Sequence, residues 1–227
     1  MAALLSRRVF IFLLVFVGIA VAIQGALFFI GYMAREETEA YNRGVDRAAK
    51  GDLDGAIADF SKAIEINPNY AKAYGNRGMA RQHKGDFDGA IADLSKAIDI
   101  NPNLAEAYFG RGLVRRKKDD LGGAILDYTK AIDINPNYAE AFDNRGTARL
   151  KEGDLDGAIV DYSKAIDINP NLAGAYNNRG IARQNKGDLD GAIADYAKTI
   201  KLRPDLKPSL ERFIQEIQKK LPKQSDR

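Results

Sequence analysis

Apolar residues recur along most of this chain at the spacing of one helical face. A representative segment carries them at Ile159, Tyr162 and Ile166, and the same spacing returns in the neighbouring segments. Every second segment ends at a proline, and these prolines lie 34 residues apart, at Pro68, Pro102, Pro136, Pro170 and Pro204. A fixed period of this length predicts an array of stacked repeats, each built from two short helices.

Each 34-residue unit keeps small residues at the same positions. The units span 37–70, 71–104, 105–138, 139–172 and 173–206. Position 8 is glycine throughout: Gly44, Gly78, Gly112, Gly146 and Gly180. Position 20 is alanine in every unit, and position 27 is alanine in all but the fifth, which has Thr199. Position 24 is bulky instead: Phe60, Leu94, Tyr128, Tyr162 and Tyr196. Small residues at fixed positions predict points where two helices cross closely.

The predicted turn between the two helices of a unit is Gly-Asp-Leu-Asp-Gly or a near variant. Glycine can end the first helix, and the aspartate after it can cap the second. Proline closes the second helix because it donates no backbone hydrogen bond. After the fifth unit, residues 207–221 predict a capping helix and residues 222–227 a disordered tail. The buried stripe of the capping helix is predicted to comprise Leu210, Phe213, Ile214 and Ile217.

The units resemble the tetratricopeptide repeat (TPR) family over residues 37–206, about three quarters of the chain. They depart from it in arginine at positions 7 and 11, in Ala40 at an aromatic position and in Thr199. The resemblance implies an all-α fold, a right-handed superhelical solenoid of five helix-turn-helix repeats closed by the capping helix. It also implies binding rather than catalysis, since stacked repeats build extended surfaces.

The N-terminal segment has a different composition. Residues 1–8 form a short tail, and no charge occurs between Arg8 and Arg35. Residues 9–30 hold sixteen Leu, Ile, Val or Phe, enough to cross a bilayer as a helix. We predict an uncleaved transmembrane signal anchor at 9–33, in contact with the lipid bilayer. The alternative is cleavage after Ala22, which would release a secreted soluble protein.

Topology follows from the flanks of this segment. Arg7 and Arg8 favour a cytoplasmic N-terminus, and a long downstream domain translocates largely regardless of its charge. We therefore expect a single-pass protein of a bacterial inner membrane with its repeats in the periplasm. The absence of cysteine is compatible with that compartment. Gly18, Ala22 and Ala26 form a small-residue face that predicts, as a further alternative, a homodimer through the membrane helix.

Charge and residue types exclude several function classes. Of the 34 basic residues, three precede residue 36, so residues 36–227 carry 31 basic and 31 acidic residues and no net charge. A nucleic-acid partner is not expected for such a neutral domain. His83 is the only histidine and cysteine is absent, so we expect no tetrahedral His/Cys metal site, no cofactor and no enzymatic activity.

Acidic residues at position 23 recur in every unit, as Asp59, Asp93, Asp127, Asp161 and Asp195. Arginines at positions 7 and 11 also recur, one helical turn apart on one face. This pattern predicts a repeated Arg–Asp network between the two helices of each unit rather than catalytic carboxylates.

The family resemblance places a binding groove on the first helices, where residues differ between units. Position 6 is asparagine in four units and predicts an amide ladder that grips the backbone of an extended peptide. The predicted groove residues are Asn42, Asn76, Asn144, Asn178, Tyr41, Phe109, Val45, Met79, Leu113 and Ile181. We interpret the chain as a membrane-anchored scaffold or adaptor that binds a protein or extended peptide in an envelope assembly.

Overall fold

The computed structural model describes the backbone of residues 2–220 and the side chains of residues 23–219. Regular structure in residues 2–220 is helical, with no strand. The helices are α1 (Ala2–Ala49), α2 (Leu53–Ile66), α3 (Ala71–Lys84), α4 (Phe87–Ile100), α5 (Ala105–Lys117), α6 (Leu121–Ile134), α7 (Ala139–Glu152), α8 (Leu155–Ile168), α9 (Ala173–Lys186), α10 (Leu189–Leu202) and α11 (Lys207–Lys220). A short 3-10 helix at Pro204–Leu206 joins the last two.

Each unit is a helical hairpin with the predicted turn chemistry. The aspartate before each second helix accepts a hydrogen bond from a backbone N–H three residues on, as Asp86 does from Gly89 at 2.9 Å. Gly85 ends α3 with φ of 86°, a left-handed conformation that glycine adopts without strain. The third unit has Asp119 at this point, with φ of 63°, so one turn of the array uses a non-glycine residue there.

The small residue at position 8 lets the two helices of a unit approach. A Cβ atom on Gly112 would lie 2.7 Å from Cε1 of Tyr128, closer than side chains tolerate. The aromatic ring therefore lies directly across the first helix and is fully buried. The prediction of close crossings at glycine is confirmed.

The curvature of the array follows from the contacts between helices of successive units. Successive first helices contact one another: α1 with α3, α3 with α5, α5 with α7 and α7 with α9. Second helices of successive units make no such contacts anywhere in residues 2–220. The first helices are thus crowded on the inner side of the array, and the second helices are spread on the outer side.

The predicted Arg–Asp network is present and also joins neighbouring units. Arg77 donates to both carboxylate oxygens of Asp93, at 2.8 Å from Nε and 2.7 Å from Nη2, and Arg81 Nη1 adds a third bond at 2.8 Å. Arg77 Nη1 also donates to Ser61 Oγ of the preceding unit, at 2.9 Å. The bonds to Asp93 are the largest cause of the raised pKa of Arg77. Equivalent networks surround Asp127, Asp161 and Asp195.

The first unit has a looser version of this network. Arg43 makes a single bond to Asp59, at 3.4 Å, and its side chain is 53% exposed. No unit precedes it to supply a hydroxyl, and Ala40 replaces the aromatic ring that contacts the guanidinium in later units, such as Tyr74 beneath Arg77.

Helix α1 runs without a break from Ala2 into the first unit, so residues 34–36, between the predicted anchor and the first unit, are helical. No glycine, proline or capping residue interrupts that stretch, and two pairs of residues one turn apart support it. Tyr32 Oη donates to Glu36 at 2.8 Å, and Arg35 Nε donates to Glu39 at 2.9 Å.

In the part of the chain that the structure describes, no helix is long and apolar enough to cross a membrane. The side chains of residues 9–22, which form most of the predicted anchor at 9–33, lie outside that part. The proposed cleavage site after Ala22, Gly18 of the small-residue face, and the predicted tail at 222–227 also lie outside it.

The capping helix α11 buries a narrower stripe than the sequence predicts. Leu210 and Ile217 are buried and Ile214 is partly buried, but Phe213 is 48% exposed. The prediction for Phe213 is wrong because α11 contacts α10 and the preceding 3-10 helix and, among the described residues, not α9. A phenylalanine at the edge of the stripe therefore faces the inner side of the array.

Candidate peptide-binding groove

The inner surface formed by α1, α3, α5, α7 and α9 is the candidate groove. All ten predicted groove residues lie on these helices: Tyr41, Asn42 and Val45 on α1, Asn76 and Met79 on α3, Phe109 and Leu113 on α5, Asn144 on α7, and Asn178 and Ile181 on α9. Their exposure is uneven. Asn42, Val45 and Ile181 are exposed, whereas the other seven are partly buried.

Units one and two form an apolar section of the groove, which we define by Tyr41, Val45, Phe60, Met79 and Leu94. Two adjoining cavities of about 240 and 260 Å³ open there, and both are lined by Asn76 and Met79. Tyr41 lines one cavity, and Val45 and Phe60 line the other. The structure thus brings together four of the predicted residues, Tyr41, Val45, Asn76 and Met79.

Phe109, another predicted groove residue, does not line either of these two cavities. Its ring packs between Tyr128, at 5.8 Å between ring centres, and Tyr138, at 4.8 Å. Phe109 therefore forms part of the floor of the groove, and Leu113, one turn further along α5, is partly buried beside it.

Two of the four amides of the asparagine ladder already have partners within the chain. Asn76 Nδ2 donates to Tyr41 Oη at 2.9 Å, and Asn144 Nδ2 donates to the backbone oxygen of Glu140 at 2.8 Å. A primary amide has two N–H groups and an accepting oxygen, so each retains capacity for a ligand. Peptide gripping by the ladder stays a prediction.

Units three and four form a polar section that sequence reasoning missed, which we define by Arg116, Tyr128, Asp143, Thr147 and Tyr162. Tyr162 Oη hydrogen-bonds Thr147 Oγ1 at 3.3 Å. Three buried atoms here have no hydrogen-bond partner among the described residues: Arg116 Nε, Tyr128 Oη and Asp143 Oδ1.

Electrostatics in the polar section reflect this burial. Burial raises the pKa of Tyr128 to about 12, against the lowering influence of the adjacent guanidinium of Arg116. Burial also raises the pKa of Tyr162 to about 12. The pKa of Asp143 is raised, chiefly by burial, although Asn178 and Arg116 oppose the shift.

Two residues of the polar section, Arg116 and Asp143, stand at positions that vary from unit to unit. Arg116 stands at position 12, where other units have Ala48, Gln82, Leu150 and Gln184. Asp143 stands at position 5, where other units have Tyr41, Gly75, Phe109 and Asn177. The framework does not require a particular residue at either position.

A third cavity, of about 450 Å³, lies at the C-terminal end of the groove between α9 and α11. Ile181 and the exposed Phe213 line it together with Leu210 and Tyr196, and Tyr196 Oη donates to Gln184 at 2.8 Å. Ile181 is thus separated from the other predicted apolar residues and belongs to this end of the groove.

Comparisons with known proteins agree with the architecture. A model described as "TPR repeat" matches residues 44–85, 83–119, 112–153 and 146–187, and one described as "Tetratricopeptide repeat" matches residues 173–206. The chain belongs to the tetratricopeptide repeat family. A search of curated protein sequences found no significant match.

Solved structures of similar fold cover most of the chain. A crystal structure of MamA is 30% identical, with a TM-score of 0.65 over 73% of this chain and 96% of that one. YrrB, described as a TPR protein with an unusual peptide-binding site, is 24% identical, with a TM-score of 0.63 over 76% of this chain and 89% of YrrB. PilF of Pseudomonas aeruginosa is 17% identical, with a TM-score of 0.70 over 74% of this chain and 77% of pilF. The last two similarities concern the fold alone.

Proposed function

We propose that this protein is a membrane-anchored scaffold or adaptor whose inner groove binds an extended segment of a protein partner. The observation that carries the proposal is a contrast between framework and groove. Positions 8, 20 and 23 keep Gly, Ala and Asp in all five units, whereas positions 5, 9 and 12 on the inner face differ from unit to unit. A surface that varies on an unvarying frame is suited to reading a sequence of side chains.

The apolar section supports a peptide as the ligand. Its two cavities are each large enough for a side chain and adjoin one another at Asn76 and Met79. Lys72 and Glu106 lie at the edge of the first cavity and offer polar contacts beside its apolar walls. Apolar pockets flanked by a few polar groups are typical of sites that bind extended chains.

Membrane anchoring through residues 9–33 is the second part of the proposal. It is supported by the uncharged run between Arg8 and Arg35 and by the large apolar side chains that α1 exposes before the first unit. Leu27, Phe28, Phe29 and Ile30 are 61–79% exposed, so no part of the array covers them. A continuous α1 would hold the array close to the bilayer, which favours a partner that is itself at the membrane. The periplasm is the proposed compartment of the array, and no catalytic activity is assigned to it.

A photo-crosslinking residue at Leu113 tests the binding function in living cells. Leu113 lies at the middle of the groove, and a matched probe at Lys164, exposed on the second helix α8, reports non-specific capture. We expect one dominant protein captured from Leu113 and not from Lys164. Equal capture from both positions, or only lipid and self-adducts from Leu113, would contradict groove binding.

Intact-mass measurement of the chain purified from membranes tests the anchor. We expect a mature protein that retains residues 1–22 and stays with the membrane after alkaline extraction. A chain that begins at Ile23 and is recovered in the soluble fraction would instead support the secreted alternative.

A further inference from the structure

The last joint of the array, between the fifth unit and α11, lacks a bond that the other joints share. At each internal joint, the arginine at position 7 donates to a hydroxyl at position 25 of the unit before, as Arg179 Nη1 does to Ser163 Oγ at 2.9 Å. The residues 34 positions further on are Phe213 and Ala197. Neither member of the polar pair therefore recurs at the last joint.

The connection into α11 also departs from the repeat. Internal turns carry an asparagine that accepts from the backbone two residues on, as Asn169 Oδ1 does from the N–H of Asn171 at 3.1 Å. Arg203 stands at this point before α11, and its guanidinium donates to Asp205 of the 3-10 helix at 2.8 and 2.9 Å. Successive first helices contact one another along the array, but among the described residues α11 does not contact α9. A gap is left between these two helices.

The gap is the cavity of about 450 Å³, which is larger than either cavity of the apolar section. Ile181 of α9 and Phe213 of α11 both line it and are 37% and 48% exposed. Leu206 and Leu210 extend its apolar wall. Since two large apolar side chains from separate helices stay exposed around one space, packing within the described chain does not bury them.

The polar part of the cavity lining is neutral. Among the described residues, none that is charged lines this cavity, whereas Lys72 and Glu106 line the first cavity of the apolar section. Gln184 Oε1 accepts from Tyr196 Oη at 2.8 Å, and the amino group of Gln184 has two N–H donors in addition. The neutral polar side chains of the lining are Asn177, Gln184, Asn185 and Ser209. A charged ligand group would lose hydration here without gaining an ionic partner, so the lining favours an uncharged one.

The size of the cavity favours an aromatic side chain of an extended segment. A benzene ring fills an apolar cavity of about 150 Å³, so this one has room for an aromatic side chain together with the backbone that carries it. A stable interface between folded chains buries roughly 1,200–2,000 Å², far more than one such cavity offers, so a second copy of the chain fits less well. Asn177 and Ile181 also belong to the inner face of α9, so the cavity continues the groove.

We propose that the cavity between α9 and α11 is a terminal subsite that binds one aromatic side chain of the peptide held in the groove. This inference rests on the proposed function and assigns the partner an aromatic residue at the end of its bound segment. The ring contacts Ile181 and Phe213, and the amide of Gln184 bonds the polar edge of a Trp or Tyr side chain. Because α11 closes the array at this end, the subsite fixes the register of the segment along the groove.

Parallel peptide selections test the subsite. Random dodecapeptides displayed on phage are selected on three full-length chains held in amphipol: the wild type, Phe213→Asp and Gln215→Asp. Phe213→Asp places a carboxylate in the cavity, whereas Gln215→Asp adds the same charge at an exposed position of α11 that does not line it. We expect the wild type and Gln215→Asp to enrich an aromatic residue at one peptide position, and Phe213→Asp to enrich none there. Unfolding in urea verifies that both variants remain folded.

Fluorescence then reports the environment of the aromatic residue directly. The chain contains no tryptophan, so a synthetic form of the tightest binder with Trp at the enriched position carries the only tryptophan in the complex. We expect its emission to shift to shorter wavelength on binding to the wild type and to Gln215→Asp. Replacing this Trp by Leu, or Phe213 by Asp, is expected to weaken binding about tenfold, because the contacts between aromatic rings are lost.

The outcomes separate the subsite from the proposed function. Selected peptides without an aromatic preference, an aromatic enriched equally by Phe213→Asp, or an unshifted Trp emission would each overturn the subsite and leave groove binding intact. Self-association of the wild type that Phe213→Asp abolishes, with peptide binding unchanged, would assign the cavity to a second copy of the chain and also overturn it. Enrichment of no peptide by any of the three chains contradicts the proposed function itself, and the subsite with it.

Discussion

The groove has two sections that share one framework and differ in chemistry. In units one and two, Phe60 and Leu94 fill position 24, and the cavities above them are lined by Val45 and Met79. In units three and four, tyrosines fill that position beside Arg116 and Asp143, and three buried polar atoms lack partners among the described residues. The arginine–aspartate network beneath both sections is nonetheless the same, with bonds of 2.7–2.8 Å at Asp93 and 2.7–2.9 Å at Asp161.

The comparison shows that the residues that stabilise the fold differ from the residues that line the inner face of the array. The framework is built from glycine, alanine and paired charges that recur every 34 residues, and it tolerates either an apolar or a polar inner face. Paired buried charges specify register between helices more than they add stability. The inner face is therefore free to vary, and under the proposed function its variation carries the binding specificity.

The largest expected effects test whether the framework is shared. Asp93→Ala in the apolar section and Asp161→Ala in the polar section should each lower the free energy of unfolding by about 3–5 kcal/mol, because each leaves two arginines without their carboxylate. Urea denaturation measures both. Asp59→Ala should cost much less, since its two partners, Arg43 at 3.4 Å and Arg47 at 3.0 Å, are both about half exposed and remain hydrated without it. A loss confined to one section would show that the two do not rest on one framework.

A smaller effect tests whether one peptide spans both sections. Asn76→Ala combined with Asn144→Ala removes one amide of the ladder from each section and should weaken binding of a selected peptide by about tenfold, at about 0.5–1.5 kcal/mol per hydrogen bond. Fluorescence anisotropy measures the affinity, with Asn103→Ala in an exposed loop as the control. Unchanged affinity in the double variant would show that these asparagine amides do not contribute to peptide binding.

Removing the hydroxyl group from either tyrosine at position 24 compares an unpaired hydroxyl with a hydrogen-bonded one. Tyr128→Phe removes an unpaired buried hydroxyl and should stabilise the chain by about 1 kcal/mol. Tyr162→Phe removes a hydroxyl bonded to Thr147 and should destabilise it by about 1 kcal/mol. Thermal or urea unfolding measures the free energy of unfolding of both variants. Destabilisation by Tyr128→Phe would mean that the Tyr128 hydroxyl makes a hydrogen bond within the folded chain.

The smallest expected effect is a pH dependence in the polar section. Burial raises the pKa of Asp143 above 3.8, so the folded state favours its protonated form. The stabilising contribution of that form is present below pH 3.8 and is lost as the pH rises through the raised pKa. The stability of Asp143→Asn relative to wild type should therefore increase over the same pH interval. A difference that stays constant with pH would show that Asp143 titrates normally.

The sequence predicted the framework well because the framework is periodic. The period of 34 residues, Gly112 and its equivalents, and the pairing of Asp93 with arginines all followed from residues that recur in register. The same reasoning failed for α11, because this helix occurs once and has no equivalent in the other units. Phe213 was expected to be buried, but α11 packs on α10 and the short 3-10 helix and not on α9 among the described residues, and its edge stays exposed.

The polar section was missed for a related physical reason. Tyr128 follows the bulky pattern of position 24, and nothing in one sequence shows whether its hydroxyl finds a partner. The inter-unit bond from Arg77 to Ser61 was also missed, because it joins residues of two units. Contacts between units depend on how the units stack, which the pattern within a unit does not determine.

Hydrogen–deuterium exchange of the full-length chain, with and without a selected peptide, tests the central claim most directly. Binding along the inner groove predicts slower exchange in α3, α5 and α7, with little change in α4, α6 and α8. Slowing confined to the second helices would place the binding surface on the outer side and contradict the account.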